Sequence, residues 1–160
     1  MKEVIVKVAD WAAERGDGVL VTLGLGSCVA IMLYDAQVNA GAMAHVLLPS
    51  KSLARDATNP AKFPETAVPF LIERLTALGA DRRRLVAKLA GGASMFAQLM
   101  TPGWIQMGER NIVASRNALR AAAIPVAREA VGGEKGRSVR FHVADGRVEI
   151  RSVGADAVVI

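Results

Sequence analysis

Cysteine is nearly absent from this 160-residue chain: Cys28 stands alone, so no internal disulfide can form. A lone thiol is compatible with a reducing cytoplasm and stays available for chemistry. The only histidines are His45 and His142, and with one cysteine they make too few soft ligands for a structural metal site. No metal and no cofactor are expected. Aromatic residues are equally sparse, with two Trp, one Tyr and four Phe. The net charge of +5 comes from 20 Lys and Arg against 15 Asp and Glu, and its longest basic run is Arg82-Arg83-Arg84. Such scattered cations, with no interleaved aromatics, do not predict nucleic-acid binding, although they favour approach to an acidic partner. Long apolar runs are missing too. The uncharged stretch Gly18–Tyr34 has 17 residues including three glycines, whereas a membrane-spanning helix needs about 20 apolar residues. Glycine at that density is poor helix material, so no membrane insertion is expected. Met1-Lys2-Glu3-Val4 runs straight into an alternating segment without a secretory signal, which points to a cytoplasmic protein.

What is present reads as one globular domain over residues 1–160, with 52% apolar and 22% charged residues. Alternation predicts strands over Val4–Val8, Val19–Leu23, Val29–Tyr34 and Gly41–Leu48, with Asp35–Asn39 as a turn. Pro49–Phe63 is a long polar loop of the kind that forms lids or binding surfaces. Val68, Leu71, Ile72, Leu75 and Leu78 recur at helical spacing over Glu65–Leu78, and Gly79 is the stop. Leu85–Ala90 reads as a strand. A second helix is predicted over Glu109–Ala123 with Ile112, Leu119 and Ala123 inward, then a strand over Pro125–Val131. Ser138–Val143 and Val148–Val153 flank Asp145-Gly146 as a hairpin. His142 falls on its polar face and is expected at the surface.

Two glycine clusters invite a nucleotide reading and fail it. Gly24-Leu-Gly26 lacks the third glycine of a dinucleotide fingerprint, and Gly132–Ser138 lacks the spacing of a P-loop. Cys28 and His45 carry more. A thiol at the end of Thr22-Leu-Gly-Leu-Gly-Ser-Cys28 is either a small buried hydrophobe or a nucleophile with His45 as its base. A turn centred between Gln37 and Val38 places His45 opposite Ala30 and Leu47 opposite Cys28. Cys28 and His45 then share a face as diagonal neighbours, roughly 7–8 Å apart, and a one-residue slip would separate them. Thr22 is either an ordinary strand residue or the group that orients the imidazole. Backbone N–H groups at Gly26, Ser27 and Cys28 could hold an oxyanion, while the Ser27 hydroxyl could either join them or only stabilise the turn.

These residues resemble the CheD family of bacterial chemoreceptor glutamine deamidases. The likeness runs through Leu23-Gly-Leu-Gly-Ser-Cys-Val29, Gly41-Ala-Met-Ala-His45-Val, Leu48-Pro49, Ala87–Phe96, Gly108-Glu-Arg-Asn111 and Gly132–Ser138. It implies a catalytic Cys28, His45 and Thr22, with Gly26 and Ser27 supporting the oxyanion. It implies an α/β (α+β) layered fold of stacked, mixed and largely antiparallel sheets with outer helices, akin to a cysteine-hydrolase toxin domain. Deamidation of receptor glutamines follows, with hydrolysis of receptor glutamyl methyl esters open to the same machinery. Its partners would be methyl-accepting receptors and the phosphatase CheC. Phe63-Pro64-Glu65 and the Ala97–Met107 segment depart from the family pattern and are expected in partner-facing regions. Three other readings stand beside this one: a non-catalytic CheC-binding adaptor, a hydrolase of small amides or esters, and a basic nucleic-acid binder.

Overall fold

A computed structural model of the protein describes residues 2–94 and 106–160. Among the described residues ten strands form two five-stranded mixed sheets. The first sheet has the order β1 (Glu3–Ile5), β3 (Val19–Leu25), β8 (Arg137–His142), β9 (Val148–Ser152) and β10 (Val158–Val159). The second has the order β2 (Trp11–Arg15), β5 (Ala40–Val46), β4 (Val29–Asp35), β6 (Val86–Gly91) and β7 (Val126–Val131). Helices α1 (Pro64–Ala77) and α2 (Met107–Ala121) complete the elements. The stacked, mixed-sheet α+β architecture with outer helices is the one expected.

The order of the layers follows from side-chain parity. Strand residues alternate between faces, and in the second sheet both faces are apolar. Ala30, Met32, Met43 and Ala90 point to the first sheet and pack on Leu20, Val139, Phe141 and Ile150. Ile31, Leu33, Ala42, Ala44 and Leu89 point the other way, against Val68, Leu71 and Leu75 of α1 and Ile112 and Leu119 of α2. The second sheet is therefore the middle layer, and every residue of β4 and β5 is buried. This explains the uncharged Val29–Tyr34 run, while Val19–Thr22 of the same stretch is buried in β3 of the first sheet. Among the described residues no helix is long and apolar enough to cross a membrane.

The β4–β5 hairpin has the expected register, with Ala30 opposite His45 and Asp35 opposite Ala40. Its turn end is anchored by the buried Asp35 carboxylate, which accepts from the N–H groups of Gln37 and Asp81 and pairs with Arg84 at 2.8 Å. At the same end Tyr34 donates to the Val143 carbonyl at 2.8 Å and joins the two sheets.

Several expectations need correction. The strands β2 and β10 were not foreseen. Their few residues, one set half-buried and the other exposed, show little alternation. The first predicted strand shortens to Glu3–Ile5, because the chain beyond it crosses to the other sheet. The helix predicted to run to Ala123 stops at Ala121, and Ala123 is an exposed residue with φ +58° that turns the chain into β7. His142 is not a surface residue: its side chain is 13% exposed and lies 2.5 Å from the Glu149 carboxylate. The long loop is no free lid, since Asn59 donates to the Ala9 carbonyl and the Lys62 carbonyl accepts from Leu47 and Leu48. Phe63 and Pro64 are buried core rather than partner surface. Most of the Ala97–Met107 segment lies outside the described residues.

Helix α2 meets the Gly91–Ala93 turn with no space to spare. A Cβ on Gly108 would lie 2.4 Å from the Ala93 oxygen and 2.6 Å from that of Gly92. Alanine would gain up to about 1 kcal/mol of helix propensity, but two backbone oxygens cannot swing aside. Gly108→Ala is expected to destabilise by about 1–3 kcal/mol net, measured by urea unfolding. A stabilised variant would show that the turn yields.

Candidate active site

Cys28 precedes β4 and His45 lies on β5, so the hairpin register puts both on the face that meets the first sheet. Thr22 lies on β3, which belongs to that opposing sheet. It is thus not an in-sheet neighbour of the cysteine strand. It reaches His45 across the interface between sheets, with Oγ1 2.7 Å from Nδ1. Thr22 is fully buried and His45 nearly so.

The direction of this hydrogen bond follows from a second contact. Thr22 Oγ1 is also 2.6 Å from the Val6 carbonyl, which can only accept. The single hydroxyl proton therefore points to Val6, and Oγ1 must accept from His45. Nδ1 carries the ring proton, and Nε2 is left as the basic nitrogen. Among the described residues Nε2 is buried with no hydrogen-bond partner. An imidazole held in one tautomer with its free lone pair inside a site is ready to take a proton.

The backbone of His45 is equally constrained. Its N–H donates to the Asp10 carbonyl at 3.1 Å and its carbonyl accepts from Ala9 at 2.9 Å. Ala9, Asp10 and Val6 all belong to the crossing from β1 to β2, and Val6 itself donates to Val21 at 2.7 Å. One short segment therefore supports both Thr22 and His45.

The thiol loop is held by its carbonyl groups. Gly26 O accepts from Ala93, Ser27 O from the Asn111 side chain and Cys28 O from Gly92, each at 2.8 Å. Gly91 must be glycine for the chain to pass here: its φ is +107°, and a Cβ would sit 2.3 Å from the Cys28 oxygen. Among the described residues the N–H groups of Gly26, Ser27 and Cys28 donate to no other residue, and the Ser27 hydroxyl makes no hydrogen bond. Among the described residues the three N–H groups proposed for an oxyanion are thus unengaged, and the turn-stabilising reading of the Ser27 hydroxyl has no contact there behind it.

Burial sets the protonation of the resting site. It pushes the Cys28 thiol above its ordinary 9.0, an effect its own N–H opposes. Burial also pulls His45 below its ordinary 6.5, against the pull of the nearby Val6 carbonyl. Both shifts favour the neutral thiol beside the neutral imidazole over a thiolate–imidazolium pair. Among the described residues no cluster of three metal-ligating side chains occurs.

Asn111, to which the sequence assigns no role, also touches the thiol loop. It is fully buried on the inward face of α2, four residues before the buried Ser115, which donates to its carbonyl. Two polar residues on an apolar helical face, in step with Leu119, were the available signal.

Relatives are similar to this chain over nearly its whole length. A protein of Caldanaerobacter subterraneus subsp. tengcongensis is 38% identical over 93% of this chain and 92% of its own length. One of Clostridium kluyveri is 42% identical over 96% and 95%, and one of Moorella thermoacetica 43% identical over 99% and 96%. Each is named a probable chemoreceptor glutamine deamidase CheD. The family model described as CheD chemotactic sensory transduction matches residues 47–152. The chain belongs to the CheD family. The family match begins just after His45, so over Thr22–His45 the likeness rests on the relatives, which match over nearly the whole chain.

Two measurements follow for this CheD chain. Thr22→Val removes the hydroxyl with little change of shape, and ¹⁵N spectra of His45 are expected to pass from a pure Nδ1–H form to a tautomer mixture. An unchanged spectrum would mean that another group holds the ring. Alkylation of Cys28 by iodoacetamide is expected to rise only through an alkaline midpoint above 9.0. A plateau reached near neutrality would show a resting thiolate.

Proposed function

We propose that this chain is a chemoreceptor glutamine deamidase that works through a thioester on Cys28. The observation that carries this is the His45 tautomer: with Nδ1 tied to Thr22, the buried Nε2 is free to serve the thiol. The names of the relatives supply the substrate class, a glutamine side chain of a chemoreceptor.

His45 Nε2 takes the thiol proton as Cys28 Sγ attacks the carboxamide carbon. The carbonyl oxygen becomes an oxyanion, held by the free N–H groups of the Gly26–Cys28 loop. Each such donor is worth about 10²–10³ in rate. Collapse breaks the C–N bond, and the proton on Nε2 leaves with ammonia. Water then enters, Nε2 takes its proton, hydroxide attacks the thioester, and the thiolate departs and is reprotonated. The product is glutamate, and each turnover adds one negative charge to the receptor. A cleft lined by Gly24, Glu134, Lys135, Arg137, Arg151 and the exposed Val153 carries three cations against one carboxylate. Its net positive charge suits an acidic receptor helix. Such receptors place the reaction in the cytoplasm, and CheC enters as a second partner on family likeness alone.

The test is peptide mass spectrometry of a receptor cytoplasmic fragment incubated with wild type, Cys28→Ala and His45→Ala. Conversion of specific glutamines by wild type alone is expected. Because His45 must be neutral to act, and burial lowers its pKa, kcat/KM should hold at pH 6.5 and fall only below it. No conversion by a folded wild-type protein on a cognate receptor would leave a binding role.

A further inference from the structure

The thioester reaction described above leaves Asn111 without a part, yet Asn111 touches the thiol loop directly. Its side chain is fully buried. Its Nδ2 donates to Ser27 O at 2.8 Å and to Leu47 O at 3.1 Å. Turning the amide over would set Oδ1 against two carbonyl oxygens, so this orientation is the only bonded one. Oδ1 has no donor among the described residues. A buried acceptor left unmatched weakens the fold, so the side chain is poorly explained as a stability device.

We infer that Asn111 is a positioning residue that aims the Cys28 N–H at the developing oxyanion. The inference rests on the deamidase reading and adds the origin of its oxyanion geometry. Ser27 C=O and Cys28 N–H share one planar trans peptide and point in opposite directions. Holding the oxygen toward α2 turns the N–H away from the helix. The peptides on either side are fixed in the same way, by Ala93 N–H on Gly26 O and Gly92 N–H on Cys28 O. Those two anchors come from backbone, and only the central one depends on a side chain. Its second bond, to Leu47, fastens the chain two residues beyond His45. One amide thus ties the nucleophile's peptide to the strand that carries the base. The tight seat of Gly108 on the Gly91–Ala93 turn keeps the first turns of α2 at this depth.

The experiment compares wild type with Asn111→Asp, close to isosteric but carrying no amide donor, and Asn111→Ser on the receptor fragment. Expected is a kcat lower by roughly 10²–10³, with KM and the rate of Cys28 alkylation by iodoacetamide each within about threefold. Alkylation is displacement at a methylene and develops no oxyanion, so a side chain that acts only on the Cys28 N–H leaves it unchanged. A folded variant with wild-type kcat overturns the inference, as does alkylation that falls in step with kcat. The wild-type protein supplies a test that needs no variant to fold. A receptor peptide with an aldehyde in place of the glutamine carboxamide should add to Cys28 and move the Cys28 amide proton downfield in NMR. An unmoved amide overturns the inference. Wild type that alkylates normally but deamidates no receptor would bring down the deamidase reading itself, a failure distinct from the other two.

Discussion

One hydroxyl group joins the two sheets at the proposed site. Thr22 Oγ1 donates to Val6 and accepts from His45, and all of this occurs in the buried interface between layers. In water such bonds would be exchanged for bonds to solvent at a net worth of about 1 kcal/mol. Inside the sandwich the alternative is an unpaired buried group, so the arrangement is strongly enforced. Because the hydroxyl has a single proton, fixing one contact determines the other. A structural bond between sheets thereby selects the tautomer of His45, the proposed base.

The remainder of the site is built by holding backbone rather than by adding side chains. The crossing from β1 to β2 pins His45 through both its N–H and its carbonyl. The Gly91–Ala93 turn and Asn111 hold three successive carbonyl groups of the thiol loop. With their oxygens engaged, the peptide N–H groups have fixed directions at no further cost during reaction, which is the condition for electrostatic preorganisation. Close packing supports this scheme, since the glycines of the turn and of α2 leave no room for a single added carbon.

Site and stability are also separated in space. The Asp35–Arg84 pair and the Tyr34 bond to Val143 close the opposite end of β4. Burial alone would raise the Asp35 pKa, but the Arg84 guanidinium and the N–H groups of Asp81 and Gln37 outweigh it and hold the carboxyl below its ordinary range. This contribution to stability is present above the ordinary Asp pKa and is lost as pH falls through the lowered one. At the Cys28 end, by contrast, His45 Nε2 and Asn111 Oδ1 stay unpaired among the described residues. Buried polar groups are normally satisfied; of the three exceptions among the described residues, these two sit beside the proposed chemistry and the third, Arg74 Nε, lies on α1.

The sequence by itself determined the local elements that alternation and helical spacing encode, including the β4–β5 register that puts Cys28 and His45 on one face. A period of two and a short turn suffice for that. Both helices were legible for a similar reason, since their apolar stripes repeat within a few residues. Only the tertiary structure decided that β3 and β4 part into different sheets, so that Thr22 approaches His45 from across the core. The deciding contacts, Val6 with Thr22 and Asn111 with Ser27, link residues 16 and 84 positions apart. No local pattern records such a pairing. It exists only once two apolar faces have been pressed together and these buried polar groups have met across the core.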